Sequence, residues 1–353
     1  MTSVADLDTP AVTIDLDRVE ANIARLQDRL AGAGVANRPH IKTHKIPALA
    51  RLQMAAGAVG ITCQKLGEAE VFADAGVADD ILLTYNVLGA AKAERLAHLV
   101  RRLRRMAVVL DNETVARGLS QAAIAHDVDI PFLVECDTGF GRNGVQSPQA
   151  AVDLANLAMR LPRLRFEGLM TFPLKLPDTK QFLARALELF GGAGVAVPVV
   201  SGGGTPAAAT VGDYPMLTEY RAGTYIYNDA MMVAAGAATW DDCAMRVRVT
   251  VVSRPTGDRA ILDAGSKVLT YDQYYARGFG RIVEYPDAAV ASLSEEHAVV
   301  DLSKCTRRPV IGEVVSVIPN HCCAVTAMMD EVHGVRAGKV ETVFPVAARG
   351  KVR

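Results

Sequence analysis

Between Pro10 and about residue 228 the chain alternates short runs rich in β-branched and aromatic residues with stretches of helical period. That rhythm belongs to parallel βαβ units and leaves few folds open. After an opening run Ala11–Asp15 and its helix, strands are predicted at 38–42, 60–63, 81–85, 107–111, 132–137, 166–172, 197–202 and 219–227. Spacing supports the helices between them. Val19, Ile23, Leu26 and Leu30 share one helical face, Asp17 is placed to cap that helix, and Gly32 and Gly34 are placed to stop it. Strands followed by helices eight times over predict an α/β fold closed as a (β/α)8 TIM-like barrel rather than an open doubly wound sheet.

After Met231 the period changes. Segments 245–253, 313–318 and 339–346 alternate apolar with polar residues, which predicts a mostly β C-terminal domain, with the Ala-Gly stretch 233–239 as the boundary. Lys and Arg number 38 against 39 Asp and Glu, so no charge excess points to nucleic acid. No apolar run approaches the roughly 18–20 residues of a bilayer span, and the first residues carry acids where a secretory signal carries bases. Six cysteines, two of them adjacent, are too sparse for a disulfide scaffold, which predicts reduced thiols and a cytoplasmic protein.

In such a barrel the strand C-termini face the active site, so the residues there deserve inspection. Lys42 ends the first predicted strand, where a lysine entering a cleft can form a Schiff base; the ordinary alternative is a solvated lysine. Asp137-Thr-Gly-Phe-Gly-Arg-Asn-Gly144 turns sharply and presents Arg142. Ser201-Gly-Gly-Gly-Thr-Pro206 follows the seventh strand, where consecutive amides make a phosphate cradle. Either is alternatively a plain glycine turn. His321 and Cys323, in a His-x-Cys spacing, are expected to project from one face of an extended segment and bind one divalent ion, leaving open positions for water and substrate. Chance pairing is the alternative.

Taken together, 38–45 (RPHIKTHK), 137–142 (DTGFGR), 203–206 (GGTP), 221–229 (RAGTYIYND), 262–267 (LDAGSK), 293–297 (LSEEH) and 319–323 (PNHCC) resemble the D-threonine aldolase and D-serine dehydratase family of pyridoxal-phosphate enzymes with an alanine-racemase-like barrel. The resemblance runs in order from about Asp8 to Arg349. It implies a cofactor-binding barrel over 13–230 and a β domain of 231–353 completed by 1–12. Lys42 matches the Schiff-base lysine, Arg142 the arginine near the cofactor's phenolic oxygen, and Gln64 a glutamine at the same edge. Gly203, Gly204 and Thr205 match the phosphate loop, with Tyr227 a further phosphate contact and Arg221 facing the pyridine nitrogen. His321 and Cys323 match a pair that holds zinc or manganese. The family further implies a D-amino acid substrate and a homodimer.

Cofactor and metal together suit a 3-hydroxy-D-amino acid, since the cofactor stabilises a Cα carbanion and a metal can hold the β-hydroxyl. Deprotonating that hydroxyl gives retro-aldol cleavage. Removing the Cα proton through Lys42, with loss of hydroxide, gives dehydration and deamination. After the sixth strand many relatives carry a tyrosine and then a histidine, whereas this chain has Phe172 and no histidine, only Lys175. That substitution and the His-x-Cys pair favour dehydration. An amino-acid racemase is the alternative, with Tyr271, Tyr274 or Tyr275 of a partner subunit as second base. A non-catalytic cofactor carrier is disfavoured, because a carrier has no use for the metal pair. His40, alternating with Lys42, and His297 are candidates to line the site, with a buried, hydrogen-bonded structural histidine as the alternative for each.

Overall fold

The computed structural model describes residues 2–353. Two compact units divide the chain. One comprises 26–42, 49–223 and 351–353; the other comprises the residues through Arg25, 43–48 and 224–350. Strand β1 (Ala11–Asp15) leads into helix α1 (Leu16–Gly32), which crosses from one unit to the other.

Eight parallel strands make the sheet of the first unit: β2 (Ala36–Asn37), β3 (Ile61–Cys63), β4 (Asp80–Leu83), β5 (Arg105–Leu110), β6 (Ile130–Cys136), β7 (Leu164–Thr171), β8 (Val199–Gly202) and β9 (Glu219–Tyr220). Their order is β2-β9-β8-β7-β6-β5-β4-β3, and the segment after β2 closes the ring. Arg38 and His40 donate their backbone N–H to Tyr220 and Ala222 on one side, while Thr62 donates to Pro39 on the other. The barrel expected from the alternation is therefore present. Its intervening helices are α2 (Pro47–Ala55), α3 (Leu66–Asp74), α4 (Ala90–Arg102), α5 (Glu113–Ala125), α6 (Pro148–Met159) and α7 (Asp178–Gly192), with a 3-10 segment, Thr205–Asp213, in place of a helix after β8.

The strands bury both faces, as parallel strands under helices must. Leu82, Ala107, Val109, Leu133 and Met170 fill the interior, while Phe132 packs at a tilt on Phe166, which stacks on Phe190 of α7. At the strand starts, away from the mouth, Arg38 is paired with Asp80 and Glu219, and Arg105 with Asp80 and Glu167. Arg38 thus closes the floor of the barrel. One strand prediction is displaced and one runs long. The strand expected at 38–42 lies at 36–37 with 41–43 in a 3-10 turn, and 221–227 leave the sheet after β9, so Lys42 and Tyr227 stand on turns beyond their strands.

The second unit is mostly β, as the change of period predicts. Its nine-stranded sheet joins β1 to β10 (Met245–Thr256), β11 (Arg259–Leu262), β12 (Arg281–Ile282), β13 (Ala289–Leu293), β14 (Ala298–Asp301), β15 (Val314–Ile318), β16 (Glu331–Arg336) and β17 (Lys339–Pro345). Short helices α8 (Ala230–Ala234), α9 (Ser266–Leu269) and α10 (Cys322–Met328) connect them. Strand β1 lies between β10 and β16, with Val12 opposite Val247, so the N-terminal residues complete this sheet. Along β10, Met245, Val247, Val249 and Val251 are buried while Arg246, Arg248 and Thr250 are not, the alternation of a sheet with one face on the core. No helix among the described residues is long and apolar enough to cross a membrane.

Candidate active site

The barrel unit gathers its candidates at the C-terminal ends of its strands. Lys42 is half-buried in the turn after the first strand, with its backbone N–H 3.4 Å from His40 Nδ1. The other ring nitrogen of His40 lies 3.2 Å from Gln64 Oε1, and Gln64 donates through Nε2 to the Thr84 carbonyl at 2.7 Å. His40 and Gln64 therefore brace one another beside the lysine turn, so that two expected neighbours of Lys42 share one hydrogen-bonded row.

The loop after β6 is organised by its own aspartate. Asp137 Oδ1 accepts the amides of Gly139 and Phe140 at 3.0 and 2.7 Å, and its Oδ2 accepts that of Gly141 at 2.9 Å. Burial works against the carboxylate's charge, yet these amides hold its pKa below the usual range. Gly144 closes the loop with φ +120°, and a Cβ there would sit 2.5 Å from the Asp137 nitrogen. Arg142 is thereby placed with its guanidinium 5.4 Å from the ring centres of both Phe140 and Phe172, and its Nη2 is 3.8 Å from Glu135.

After β8 the backbone runs close to Tyr220. Gly203 has φ +95°, and a Cβ on it would fall 2.3 Å from the tyrosine ring; one on Gly204 would fall 2.8 Å from Phe172. Only glycine fits this cradle. Tyr220 donates its hydroxyl to the Gly204 carbonyl at 2.7 Å, and Thr205 then opens a 3-10 helix, Thr205–Asp213. Arg221 is buried, donating Nε to Ser201 Oγ at 2.8 Å and Nη2 to the Thr171 carbonyl at 2.6 Å. Burial lowers its pKa to about 10, against the pull of Glu219 and Glu135.

In the second unit, His321 and Cys323 come together by a route different from the one expected. The segment is not extended: His321 caps α10, and Cys322 and Cys323 form the helix's first turn. Asp229 organises the turn, accepting the amides of Cys322 and Met232, both at 3.0 Å, so one carboxylate caps the starts of α10 and α8. His321 Nδ1 lies 2.5 Å from Asp272 Oδ2, which orients the ring and leaves Nε2 for a ligand. Thr43 Oγ1 is 3.3 Å from Cys323 Sγ. A hydrogen bond from Cys322 holds the Cys323 thiol well below its ordinary pKa despite burial, with His321 and Thr43 adding to the effect. Burial pulls the His321 ring down, but Cys323, then Asp272 and Asp229, push it up to about 9. A cysteine whose pKa is lowered, beside an imidazole whose far nitrogen is carboxylate-bonded, is a donor set fitted to a borderline divalent ion. Among the described residues no cluster of three or more His, Cys, Asp or Glu is placed to hold a metal ion. Tyr227 is fully buried with a hydroxyl that finds no partner, which fits a phosphate contact.

Sequence reasoning missed Asp272, Asp229 and Thr43. They lie 49, 93 and 280 residues from their partners around α10, and no local spacing announces them. It also missed Glu135, although a carboxylate in the otherwise apolar 130–136 was a visible signal. His297, expected near the site, is exposed in the turn between β13 and β14.

Known proteins match this arrangement along its length. The alanine racemase N-terminal domain family matches residues 14–230, and the "Putative serine dehydratase domain" family matches 244–335. A D-threonine aldolase of Arthrobacter sp. is 33% identical over 98% of this chain and 94% of its own. A D-threo-3-hydroxyaspartate dehydratase of Delftia sp. is 32% identical over 95% of this chain and 96% of its own. Solved structures of a D-threo-3-hydroxyaspartate dehydratase include histidine and cysteine variants altered two positions apart, and the cysteine variant is described as metal-free. The crystal structure of a D-threonine aldolase from Filomicrobium marinum superposes with a TM-score of 0.88 at 34% identity, covering 100% of this chain and 98% of that one. With its barrel and β unit matched in order by proteins of one kind, the chain belongs to the D-threonine aldolase and D-3-hydroxyaspartate aldolase/dehydratase family of pyridoxal-phosphate lyases.

Proposed function

We propose that the protein is a pyridoxal-phosphate- and divalent-metal-dependent lyase for 3-hydroxy-D-amino acids that works by dehydration and deamination, with zinc or manganese as the ion. Bound pyridoxal phosphate supplies an electron sink for a bond to the substrate Cα. Lys42 is its covalent attachment point and moves the Cα proton. Gly203, Gly204, Thr205 and Tyr227 bind the phosphate, Arg221 faces the pyridine nitrogen, and Gln64 and Arg142 hold the phenolic edge. His321 and Cys323 hold the ion, which supplies a Lewis acid for the substrate's β-hydroxyl.

The observation that carries dehydration over cleavage is the position after β7. Phe172 packs edge-on against Phe140 with ring centroids 5.8 Å apart, beneath Arg142. An apolar ring there has no proton to exchange with a hydroxyl. Lys175 donates Nζ to the Gly139 carbonyl at 2.9 Å, which leaves the acid–base work to Lys42. The free cysteines support a cytoplasmic protein, and the exposed Tyr274 and Tyr275 support a homodimer.

The test is to load the protein with pyridoxal phosphate and a divalent metal, add D-threonine, and identify products by NMR. Ammonia with 2-oxobutyrate is the expected result. Glycine with acetaldehyde would overturn dehydration in favour of retro-aldol cleavage, and L-allo-threonine, the product of inversion at Cα alone, would favour a racemase.

A further inference from the structure

Glu135 is a buried carboxylate at the top of the barrel that the reaction outlined above does not use. Residues two apart on a strand share a face, so Glu135 points the same way as Leu133, into the barrel, and it is in register with Met170 of the interior layer. It stands one layer above that apolar core, at the top of β6, and is 2% exposed. A carboxylate buried there costs free energy that a leucine or valine would not.

Its surroundings narrow what it does. The charged and titratable groups around it are Arg142, Arg221, Asp111 and Cys136, and Asn143, which Arg142 also reaches, hydrogen-bonds its side chain. Arg221 is already bonded to Ser201 and Thr171 and has Glu219 as its strongest counter-charge, so its placement does not depend on Glu135. Arg142 differs. Apart from Asn143, which its Nε reaches at 2.8 Å, its guanidinium has, among the described residues, two aromatic faces and Glu135. Glu135 Oε1 lies 3.8 Å from Nη2, and Oε2 is buried without a hydrogen-bond partner.

We propose that Glu135 is a positioning residue: its interior carboxylate draws the Arg142 guanidinium inward over the barrel mouth, toward the phenolic edge of the bound cofactor. The inference rests on the cofactor reading above. Glu135 touches neither substrate nor cofactor and acts through Arg142.

The sign of one shift separates positioning from a simple charge effect. A cation facing the cofactor's linkage to Lys42 makes that linkage easier to deprotonate. If Glu135 holds Arg142 in place, Glu135→Gln frees the arginine and raises the pH midpoint of the bound cofactor's visible absorbance, as Arg142→Ala does, by about one unit. If Glu135 acted only through its charge, its loss would leave the mouth more positive and lower the midpoint. The experiment titrates that absorbance in wild type, E135Q, R142A and the double variant, with equilibrium dialysis of pyridoxal phosphate alongside. The expected result is an upward shift in both single variants and a double variant no further shifted than R142A. A downward or absent shift in E135Q, or additive shifts, would overturn the proposal. Glu135→Asp, which keeps the charge one methylene further from Arg142, is expected to fall between wild type and R142A, and it carries the test should E135Q fail to fold.

A second arm needs no cofactor. Peptide mass spectrometry follows the rate at which phenylglyoxal modifies Arg142 in the cofactor-free protein, where E135Q is expected to raise that rate several-fold. Equal rates would overturn the proposal. If wild type shows no visible absorbance that depends on Lys42, the cofactor reading itself fails, and this arm alone decides the role of Glu135.

Discussion

The barrel mouth and the turn around α10 are built by opposite strategies. At the mouth, the loops and turns are shaped by residues near them in sequence: Arg142's loop by Asp137 and Gly144, the phosphate loop by consecutive glycines, Lys42's turn by the end of its strand. Gln64 and Arg221 are held by neighbouring strands 20 to 50 residues away. Around α10, two residues spaced as His-x-Cys work only through partners drawn from distant segments, Asp272, Asp229 and Thr43. A site of the first kind can be read from a motif. One of the second kind shows its ligands in the sequence and hides what tunes them. The expected division of labour is that the mouth holds the cofactor and α10 holds the metal, and that substitutions at one leave the other's signature intact.

Lys42→Ala breaks the mouth. It is expected to abolish the cofactor's visible absorbance and to lower turnover by about 10⁴-fold or more, while metal content measured by mass spectrometry stays at the wild-type level. Cys323→Ala is the mirror experiment. Bound metal is lost and turnover falls by about 10³-fold, yet the visible absorbance and the affinity for pyridoxal phosphate are unchanged. A variant that erased both signatures would erase the distinction between the two regions.

A third outcome concerns the mouth without its cofactor. Burial raises the pKa of Glu135 to about 7, partly opposed by Arg142 and Arg221. The folded protein therefore binds this proton more tightly than the unfolded chain does. Its stabilising contribution is complete below the ordinary carboxylate pKa, near 4.5, and is lost as the pH rises through about 7. Relative to Glu135→Gln, cofactor-free wild type should lose about 3 kcal/mol across that window in urea unfolding. A pH-independent difference would contradict it.

The smallest expected effect lies behind the metal pair. Asp272→Asn keeps the size of the side chain but not the charge on His321 Nδ1. Metal affinity is expected to fall about 10–100-fold, with turnover restored by excess metal and the cofactor spectrum untouched. Turnover that excess metal fails to restore would assign Asp272 a role other than orienting His321.

The eight-strand count was legible because period and punctuation are local, and the β unit announced itself through the alternation of β10. Strand ends were not. Lys42 and Tyr227 carry the apolar neighbours of a strand, and the sequence does not show that their backbone has left the sheet. The extended geometry expected at His321 failed for a long-range reason. Asp229 caps the turn from 93 residues away and tips it into a helix, and a spacing rule has no access to that contact. Glu135 was legible in principle, as a charge inside an apolar strand, but its meaning depends on which face of β6 looks into the barrel.

The most direct test asks the two regions to separate in one tube. Wild type loaded with pyridoxal phosphate is stripped of metal by a chelator and given D-threonine in D2O, and the Cα proton and the products are followed by NMR. The account predicts that solvent deuterium enters Cα through Lys42 while no 2-oxobutyrate forms, and that added zinc or manganese restores product. Product formation at the full rate without metal would contradict it.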